Sequence, residues 1–331
     1  MPLTNDQPPR LSITAYAENW PLRDVFKISR GAKTAADVIV VHVSDGMLTG
    51  RGEAVPYGRY GESVAGSLQT IEKLGAISDR DQLARALPAG AALNAVDCAL
   101  WDFEAKYSKR RVTDSLGLPK LHHVTTAFTL SLDTPEIMAA KAREASHLPL
   151  LKLKLGGVGD AERMRAVRAA RPDARLIADA NEAWTPDMLA PLLAIAADLG
   201  FETVEQPLPE GADELLRAID KPVPVCADES VHTARDILRL TGLYDAVNIK
   251  LDKAGGLTGA LALHRAARNA GMKIMIGSMV ATSLAIAPAL ILAQDADWTD
   301  LDGPLLLARD REHGVTISNG VIAPPSPELW G

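Results

Sequence analysis

Charged side chains punctuate this chain at a spacing that few folds can satisfy. Short apolar runs end on Lys154, Asp179, Glu205, Asp228 and Lys250, so that successive members lie 22 to 26 residues apart. One strand, one helix and two connecting loops consume about that many residues. Repeated β/α units of this kind close into a parallel barrel, and each strand then delivers one side chain to a common mouth. The rhythm predicts a parallel β/α barrel with these five residues gathered at one end.

The rhythm starts only at Val124. Before it, residues 11–16 and 38–43 alternate like half-buried strands, and Ser44-Asp45-Gly46 marks a hairpin turn whose Asp-Gly pair supplies positive φ. After Pro88-Ala89-Gly90, residues 91–109 carry Leu93, Val96, Leu100 and Phe103 at helical spacing. The expected organisation is a flexible tail over residues 1–10, an α+β capping domain over 11–122, a barrel over 123–307, and a return of residues 308–331 to the first domain. Residues 124–130 read as a strand. Thr134-Pro135-Glu136 and Thr185-Pro186-Asp187 open helices with a first-turn proline, and Gly200, Gly242 and Gly271 close helical patterns. Strands over 273–276 and around 300–301 complete a count of eight, with seven full helices between them. Ser318-Asn319-Gly320 signals a late turn.

The 331 residues suffice for such a barrel, roughly 250 residues, plus a smaller domain. A net charge of −7 argues against a nucleic-acid partner held through phosphates. No apolar stretch reaches 18 residues, so no membrane helix is expected. The polar, Pro-rich start lacks a signal-peptide core and suggests a cytoplasmic location. Cys98 and Cys226 each sit in an apolar pattern and read as buried free thiols.

One acidic residue past a strand is often only a helix cap. Three on consecutive strands, Asp179, Glu205 and Asp228, would repel one another unless a cation lay between them. A set of carboxylates without His or Cys favours Mg²⁺, with Mn²⁺ as a substitute. Lys152 and Lys154 stand at i and i+2 on one strand face. Interior amines are costly, and their mutual repulsion is expected to bring their pKa down from about 10.4 toward neutrality, where a lysine can act as a base. Lys250 falls four strands further round an eight-strand ring, diametrically opposite. Two amines facing each other across a metal could remove a proton from one face of a carbon and return it to the other, as in a racemase or epimerase. Lys253 reads as an exposed loop charge and His232 as a cap or surface residue.

Lys152-x-Lys154, Asp179-Ala180-Asn181, Val204-Glu205-Gln206-Pro207, Ala227-Asp228-Glu229-Ser230 and Asn248-Ile249-Lys250 together resemble the muconate-lactonising-enzyme subgroup of the enolase superfamily, over residues 20–307. The resemblance implies an α/β fold, a modified (β/α)₇β TIM-like barrel with an N-terminal α+β capping domain. It implies that Asp179, Glu205 and Asp228 hold Mg²⁺, and that Lys154 and Lys250 are the acid/base pair. Lys152 would help to neutralise the substrate carboxylate, and Asn181 and Glu229 would orient the ligands. Within the subgroup the chain is similar to dipeptide epimerases of the L-Ala-D/L-Glu kind. Pro56-Tyr57-Gly58-Arg59-Tyr60-Gly61-Glu62-Ser63, Pro88-Ala89-Gly90-Ala91-Ala92 with Asp97-Cys98-Ala99-Leu100-Trp101-Asp102, and Asp300-Leu301-Asp302-Gly303-Pro304 carry that likeness. Asp300 and Asp302 would grip a dipeptide's ammonium group. Arg30, with Lys33 or Arg59 as alternatives, would meet the far carboxylate, while residues 57–63 form a closing lid. Thr129, Ser278 and Met279 would line the pocket. A homo-oligomer and a place in peptidoglycan recycling fit the resemblance. A cycloisomerase or o-succinylbenzoate synthase, whose substrates lack an ammonium group, accounts less well for Asp300 and Asp302. An acid-sugar dehydratase would carry a late-strand His, which is missing. An inert binding protein would not need both lysines and all three carboxylates.

Overall fold

The computed structural model describes residues 11–75, 77 and 79–331; the tail expected over residues 1–10 lies outside them. The chain opens with three antiparallel strands, β1 (Ser12–Ile28), β2 (Gly31–Ser44) and β3 (Thr49–Ala54). β1 runs far beyond residues 11–16. Pro21 and the polar residues after it hide its alternation, and the register with β2 shifts between Pro21 and Phe26. In the turn after β2, Asp45 Oδ1 accepts from the amides of Met47 and Leu48. Of the Asp-Gly pair only Gly46 has a positive φ, 92°.

β2 is buried on both faces. Ile39, Val41 and Val43 join the core beneath the first helices, while Val38 and Val40 face the core shared with the barrel. Those helices are α1 (Val64–Leu74), α2 (Arg80–Ala86), α3 (Ala91–Ser108) and the short α4 (Val112–Ser115). α3 lies directly on β3, where a Cβ on Gly52 would stand 2.1 Å from the Ala95 carbonyl. Cys98 on α3 is a buried free thiol, as is Cys226.

The run over 124–130 divides instead of forming one strand. β4 (Val124–Thr125) pairs with a late hairpin, β13 (Ile317–Ser318) and β14 (Val321–Ile322), while β5 (Phe128–Leu130) enters the barrel. The exchange occurs between two amides: Thr126 N donates to Gly320 O, and Ala127 N to Thr299 O. The hairpin turns at Asn319 and Gly320, both with positive φ, as a tight two-residue turn requires.

The barrel strands β5, β6 (Leu150–Lys154), β7 (Arg175–Asp179), β8 (Phe201–Glu205), β9 (Val225–Ala227), β10 (Ala246–Lys250), β11 (Lys273–Gly277) and β12 (Trp298–Asp300) lie side by side in chain order. The Ala127–Thr299 hydrogen bond, 2.8 Å, links the two ends of this sheet. Long helices follow five of the strands: α5 (Pro135–Glu144), α6 (Asp160–Ala170), α7 (Pro186–Asp198), α10 (Leu257–Asn269) and α11 (Ser283–Ala293). The expected seven full helices are therefore too many. Between β8 and β9 there is only a 3₁₀ turn, Glu214–Arg217, and between β9 and β10 only a second such turn and α8 (Ile237–Leu240). Four prolines, Pro207, Pro209, Pro222 and Pro224, occupy the first of these links and deny it a helix. α9 (Leu251–Ala254) follows Lys250 directly, and α12 (Gly303–Leu306) follows the last barrel strand.

The chain then returns to α3. Trp330 Nε1 donates to Cys98 O at 3.0 Å and the Gly331 amide to Asp102 Oδ1 at 2.8 Å. Buried Glu53 on β3 accepts from Thr282 Oγ1 and Arg311, tying the first sheet to the start of α11. Among the described residues no helix is long and apolar enough to cross a membrane.

Candidate active site

Parallel register sets the charged residues level. Lys154 stands opposite Asp179, and Asp179 opposite Glu205. The residues between them, such as Leu153, Ala178 and Val204, belong to the hydrophobic core, so the pleat sends the alternate charged set to the barrel interior. Lys152 is 1% exposed and Lys154 8%. Lys152 Nζ lies 2.6 Å from Glu205 Oε2, 2.6 Å from Asp300 Oδ2 and 3.2 Å from Asp179 Oδ2. Lys154 Nζ meets Asp179 Oδ2 at 2.5 Å, and Lys250 Nζ meets Asp228 Oδ2 at 2.7 Å.

Lys253 overturns its reading as an exposed loop charge. It is 2% exposed, and its ammonium group meets Asp228 Oδ1 and Asp228 O, both at 2.5 Å, and Asn248 O at 3.1 Å. The short helix α9 brings a residue three places after Lys250 back beneath the same strand end. Asn248 Nδ2 donates to Glu205 Oε1 at 2.7 Å. Gln206 Oε1 accepts from the amides of Asp228 and Ser230, bracing one strand end against the next. None of these three was singled out from the sequence as a site residue. The available signals were an i−2 spacing from Lys250 for Asn248 and an i+3 spacing for Lys253.

For Lys152 the electrostatics differ from the expectation of a near-neutral amine. Burial works against the charge on Lys152, but Asp300, Glu205 and Asp179 outweigh it and raise its pKa well above the ordinary value. Lys250 is raised in the same way, burial being outweighed by Asp228 and Glu205. The sequence argument counted amine against amine, whereas each amine here has carboxylates as nearest neighbours. Burial also opposes the charge on Asp179, yet Lys154 and Lys152 hold it low; Lys250 and Lys253 do the same for Asp228. Glu205 goes the other way, pushed up to about 7 by burial and Asp179.

Among the described residues no three carboxylate, thiol or imidazole groups are gathered at metal-ligating spacing. Each of the three strand-end carboxylates instead leans on an ammonium group. The donor chemistry nevertheless suits a hard divalent cation. It is all carboxylate oxygen, it comes from three adjacent strand ends, and Glu205 Oε2, though close to Lys152, makes no aligned hydrogen bond.

A cavity of about 420 Å³ opens over these groups. Lys154, Lys250, Asp228, Glu229, Asn181, Ser278 and Met279 line it from the barrel; Phe26, Arg30, Lys33, Tyr57, Arg59 and Tyr60 line it from the first domain. Phe128 and Thr129 line a different hollow, about 550 Å³, between β5 and α5. Thr129 is still adjacent to the charged set, opposite Lys152 in register, and its amide donates to Asp302 Oδ2 at 2.7 Å. Burial and Asp300 push Asp302 up to about 7, while Asp300 Oδ1 is buried with no hydrogen-bond partner. The Asn181 amide donates to Asp179 Oδ1 at 3.0 Å.

On the cap side, Arg30 donates to Glu229 Oε1 at 2.6 Å, to Glu182 Oε2 at 3.1 Å, to Asn181 O and to the Tyr57 hydroxyl. Arg59 grips Glu182 with two nitrogens. The lid loop carries a 3₁₀ turn, Gly58–Tyr60, and Glu62 fastens it by accepting from the amides of Tyr57 and Ala91. The ring of Tyr60 stands edge-on to His232 at 4.7 Å, so this histidine is a half-buried lid contact and not a surface cap. The whole arrangement presents paired ammonium groups on opposite sides of a carboxylate cluster, beneath a partly apolar cover. It is suited to moving a proton at a carbon next to a carboxylate.

Residues 137–328 match the enolase C-terminal domain-like family, and residues 10–117 the N-terminal domain of the mandelate racemase / muconate lactonizing enzyme family. The chain is 43% identical to the L-Ala-D/L-Glu epimerase of Escherichia coli (strain K12), over 94% of this chain and 99% of that one. It is also 43% identical to the N-acetyl-D-glutamate racemase of a Pseudoalteromonas species, over 89% and 95%. Among solved structures, an enolase family member from Agrobacterium tumefaciens with homology to dipeptide epimerases, bound to sodium and L-Ala-L-Glu, superposes with a TM-score of 0.95 at 48% identity, covering 97% of this chain and 100% of that one. The dipeptide epimerase of Enterococcus faecalis, complexed with Mg and L-Leu-L-Tyr, superposes with a TM-score of 0.87 at 31% identity, covering 96% and 98%.

Proposed function

The chain belongs to the mandelate racemase / muconate lactonizing enzyme family of the enolase superfamily, and we propose that it is a magnesium-dependent dipeptide epimerase whose substrate is L-Ala-D/L-Glu. The observation that carries this reading is the pair Lys154 and Lys250, on strands four apart, lining one cavity with a carboxylate cluster between them. Lys154, as the free amine, takes the α-proton of the C-terminal residue from one face. Lys250, as the ammonium, returns a proton to the other face, and the roles exchange for the opposite epimer. Asp179, Glu205 and Asp228 would hold Mg²⁺. When bound, the ion offsets negative charge on the substrate carboxylate and so makes the α-proton more acidic. Lys152 adds a fixed positive charge to the same end of the site.

Asp300 and Asp302, at i and i+2, would receive the dipeptide's ammonium group. The second reading is an N-acylamino acid racemase, in keeping with the Pseudoalteromonas relative. The unpartnered, buried Asp300 Oδ1 favours a charged ammonium over a neutral acyl group. Recycling of cell-wall peptides in the cytoplasm is the setting that such a substrate suggests.

The test is NMR in D₂O with Mg²⁺ and L-Ala-L-Glu. Loss of the glutamate α-proton signal with appearance of L-Ala-D-Glu is the expected result. Turnover of N-acetylglutamate with none of the dipeptide would favour the second reading; no exchange with either would sink both.

A further inference from the structure

Beside the strand ends that carry Glu205 and Asp228, buried polar side chains form one continuous chain. Asp213 precedes the 3₁₀ turn Glu214–Arg217, but its side chain makes no cap bond to that turn. Its carboxylate is buried instead, and Oδ2 accepts from Ser230 Oγ at 2.6 Å and from the Tyr244 hydroxyl at 2.9 Å. Both hydroxyls accept in turn from Gln206 Nε2, each at 2.9 Å, and Leu208 O accepts from the same nitrogen at 2.8 Å. The opposite end of that side-chain amide, Oε1, takes the backbone amides of Asp228 and Ser230 at 2.9 and 3.1 Å. The other Asp213 oxygen faces Arg239, 3.8 Å from Nη1.

The chain has a direction. A carboxylate only accepts, so both hydroxyls spend their protons on Asp213 and offer lone pairs to Gln206. Burial raises the Tyr244 phenol above its ordinary value, which keeps it a donor. Gln206 then presents its NH₂ to the hydroxyls and its oxygen to the Asp228 amide. Backbone pairing alone does not hold this place. The β8–β9 ladder ends at the pair Glu205 and Cys226, two residues short of Asp228. Gln206 itself sits at φ 36°, a strained value for a residue with a side chain, and such strain persists where the surroundings enforce it.

We propose that Asp213 is a positioning residue for the metal site: it fixes the direction of this chain and so holds the Asp228 strand end in place beside Glu205. This rests on the reading that Asp179, Glu205 and Asp228 hold a divalent ion. Asp213→Asn tests the direction at nearly constant shape. The Arg239 guanidinium draws the oxygen of the new side chain, which turns the NH₂ toward the hydroxyls. Donors then meet donors at Gln206, and its hold on the Asp228 amide is weakened.

The experiment is titration of the substrate-free protein with Mn²⁺, the expected substitute for Mg²⁺, with the free ion read by electron paramagnetic resonance. The dissociation constant belongs to the folded fraction, so a variant that is merely less stable loses stoichiometry and keeps affinity. Asp213→Asn should weaken Mn²⁺ binding about tenfold or more, as for other residues that orient metal ligands. Tyr244→Phe leaves Ser230 to carry the chain in the same direction and should cost about threefold, the net worth of one neutral hydrogen bond. Adding Ser230→Ala to Tyr244→Phe removes both links and should match Asp213→Asn; the double variant carries the test if Asp213→Asn does not fold. Binding within about threefold of the wild type by Asp213→Asn or by the double variant overturns the inference and leaves the epimerase reading standing. Equal losses in Asp213→Asn and Tyr244→Phe overturn it too, since a packing role does not depend on direction. No Mn²⁺ binding by the wild type overturns both the inference and the metal reading beneath it.

Discussion

Asp228 carries an ammonium group on each of its carboxylate oxygens, Lys250 on Oδ2 and Lys253 on Oδ1. Only one of these amines lies where it could reach substrate, since Lys250 lines the cavity and Lys253 does not. In the proposed reaction Lys253 would therefore position Asp228, and Lys253→Met should raise the Mg²⁺ concentration for half-maximal activity about 10- to 100-fold. A Mg²⁺ titration that superposes on the wild type would refute this. Lys154→Ala and Lys250→Ala should each lower epimerisation by roughly 10²–10⁴-fold. Each should abolish α-proton exchange with a different diastereomer, and exchange of both epimers by either variant would refute the two-base scheme. The five strand-end charges were legible because a parallel barrel imposes a period on the sequence. Lys253 was not, because a single i+3 spacing after a strand end does not say which way the side chain turns.

At the scale of elements, positions without side chains do much of the placing. A Cβ on Gly277 of β11 would stand 2.5 Å from Asn248 Oδ1 and 2.9 Å from Nδ2, displacing the amide that donates to Glu205. Gly277→Ala should cut kcat/KM by at least tenfold, about the effect of losing a ligand's supporting hydrogen bond, while circular dichroism stays native. Full activity in this variant would mean that Asn248 does not orient Glu205. Asp97 joins α3 to the start of α10 through the amide and hydroxyl of Thr258. Burial pushes it up to about 6, against those hydrogen bonds. The folded protein thus binds this proton more tightly than the unfolded chain. The stability associated with it is present below pH 4 and lost as pH rises toward 6, by up to about 3 kcal/mol. Asp97→Asn should flatten denaturation midpoints over that window; an unchanged slope would assign it to other groups. Element order was readable from caps and glycines. The division of residues 124–130 was not, because it depends on partners almost two hundred residues away.

At the scale of the whole molecule, one cavity is lined by two bodies. Barrel strands carry Lys154, Lys250 and the carboxylates, and the long β1–β2 hairpin with residues 57–63 covers them. The sequence showed both bodies but not how they lock, since Glu53, Thr282 and Arg311 meet only in three dimensions. Trp330, 1% exposed, is a further fastening. Trp330→Ala should cost about 3–5 kcal/mol in denaturant unfolding, as for other buried aromatics; a loss below about 1 kcal/mol would mean that the C-terminal strap packs only loosely on α3.

That strap also sets an order of events during synthesis. The carbonyl of Cys98 waits for an indole 232 residues downstream. At roughly 5–20 residues per second, this is a delay of about 10–50 s. Throughout it, α3 presents an uncovered apolar flank while the barrel is still leaving the ribosome. Cap and barrel can thus only be completed together, and a stalled or shortened chain leaves a surface open to chaperones and to other nascent copies.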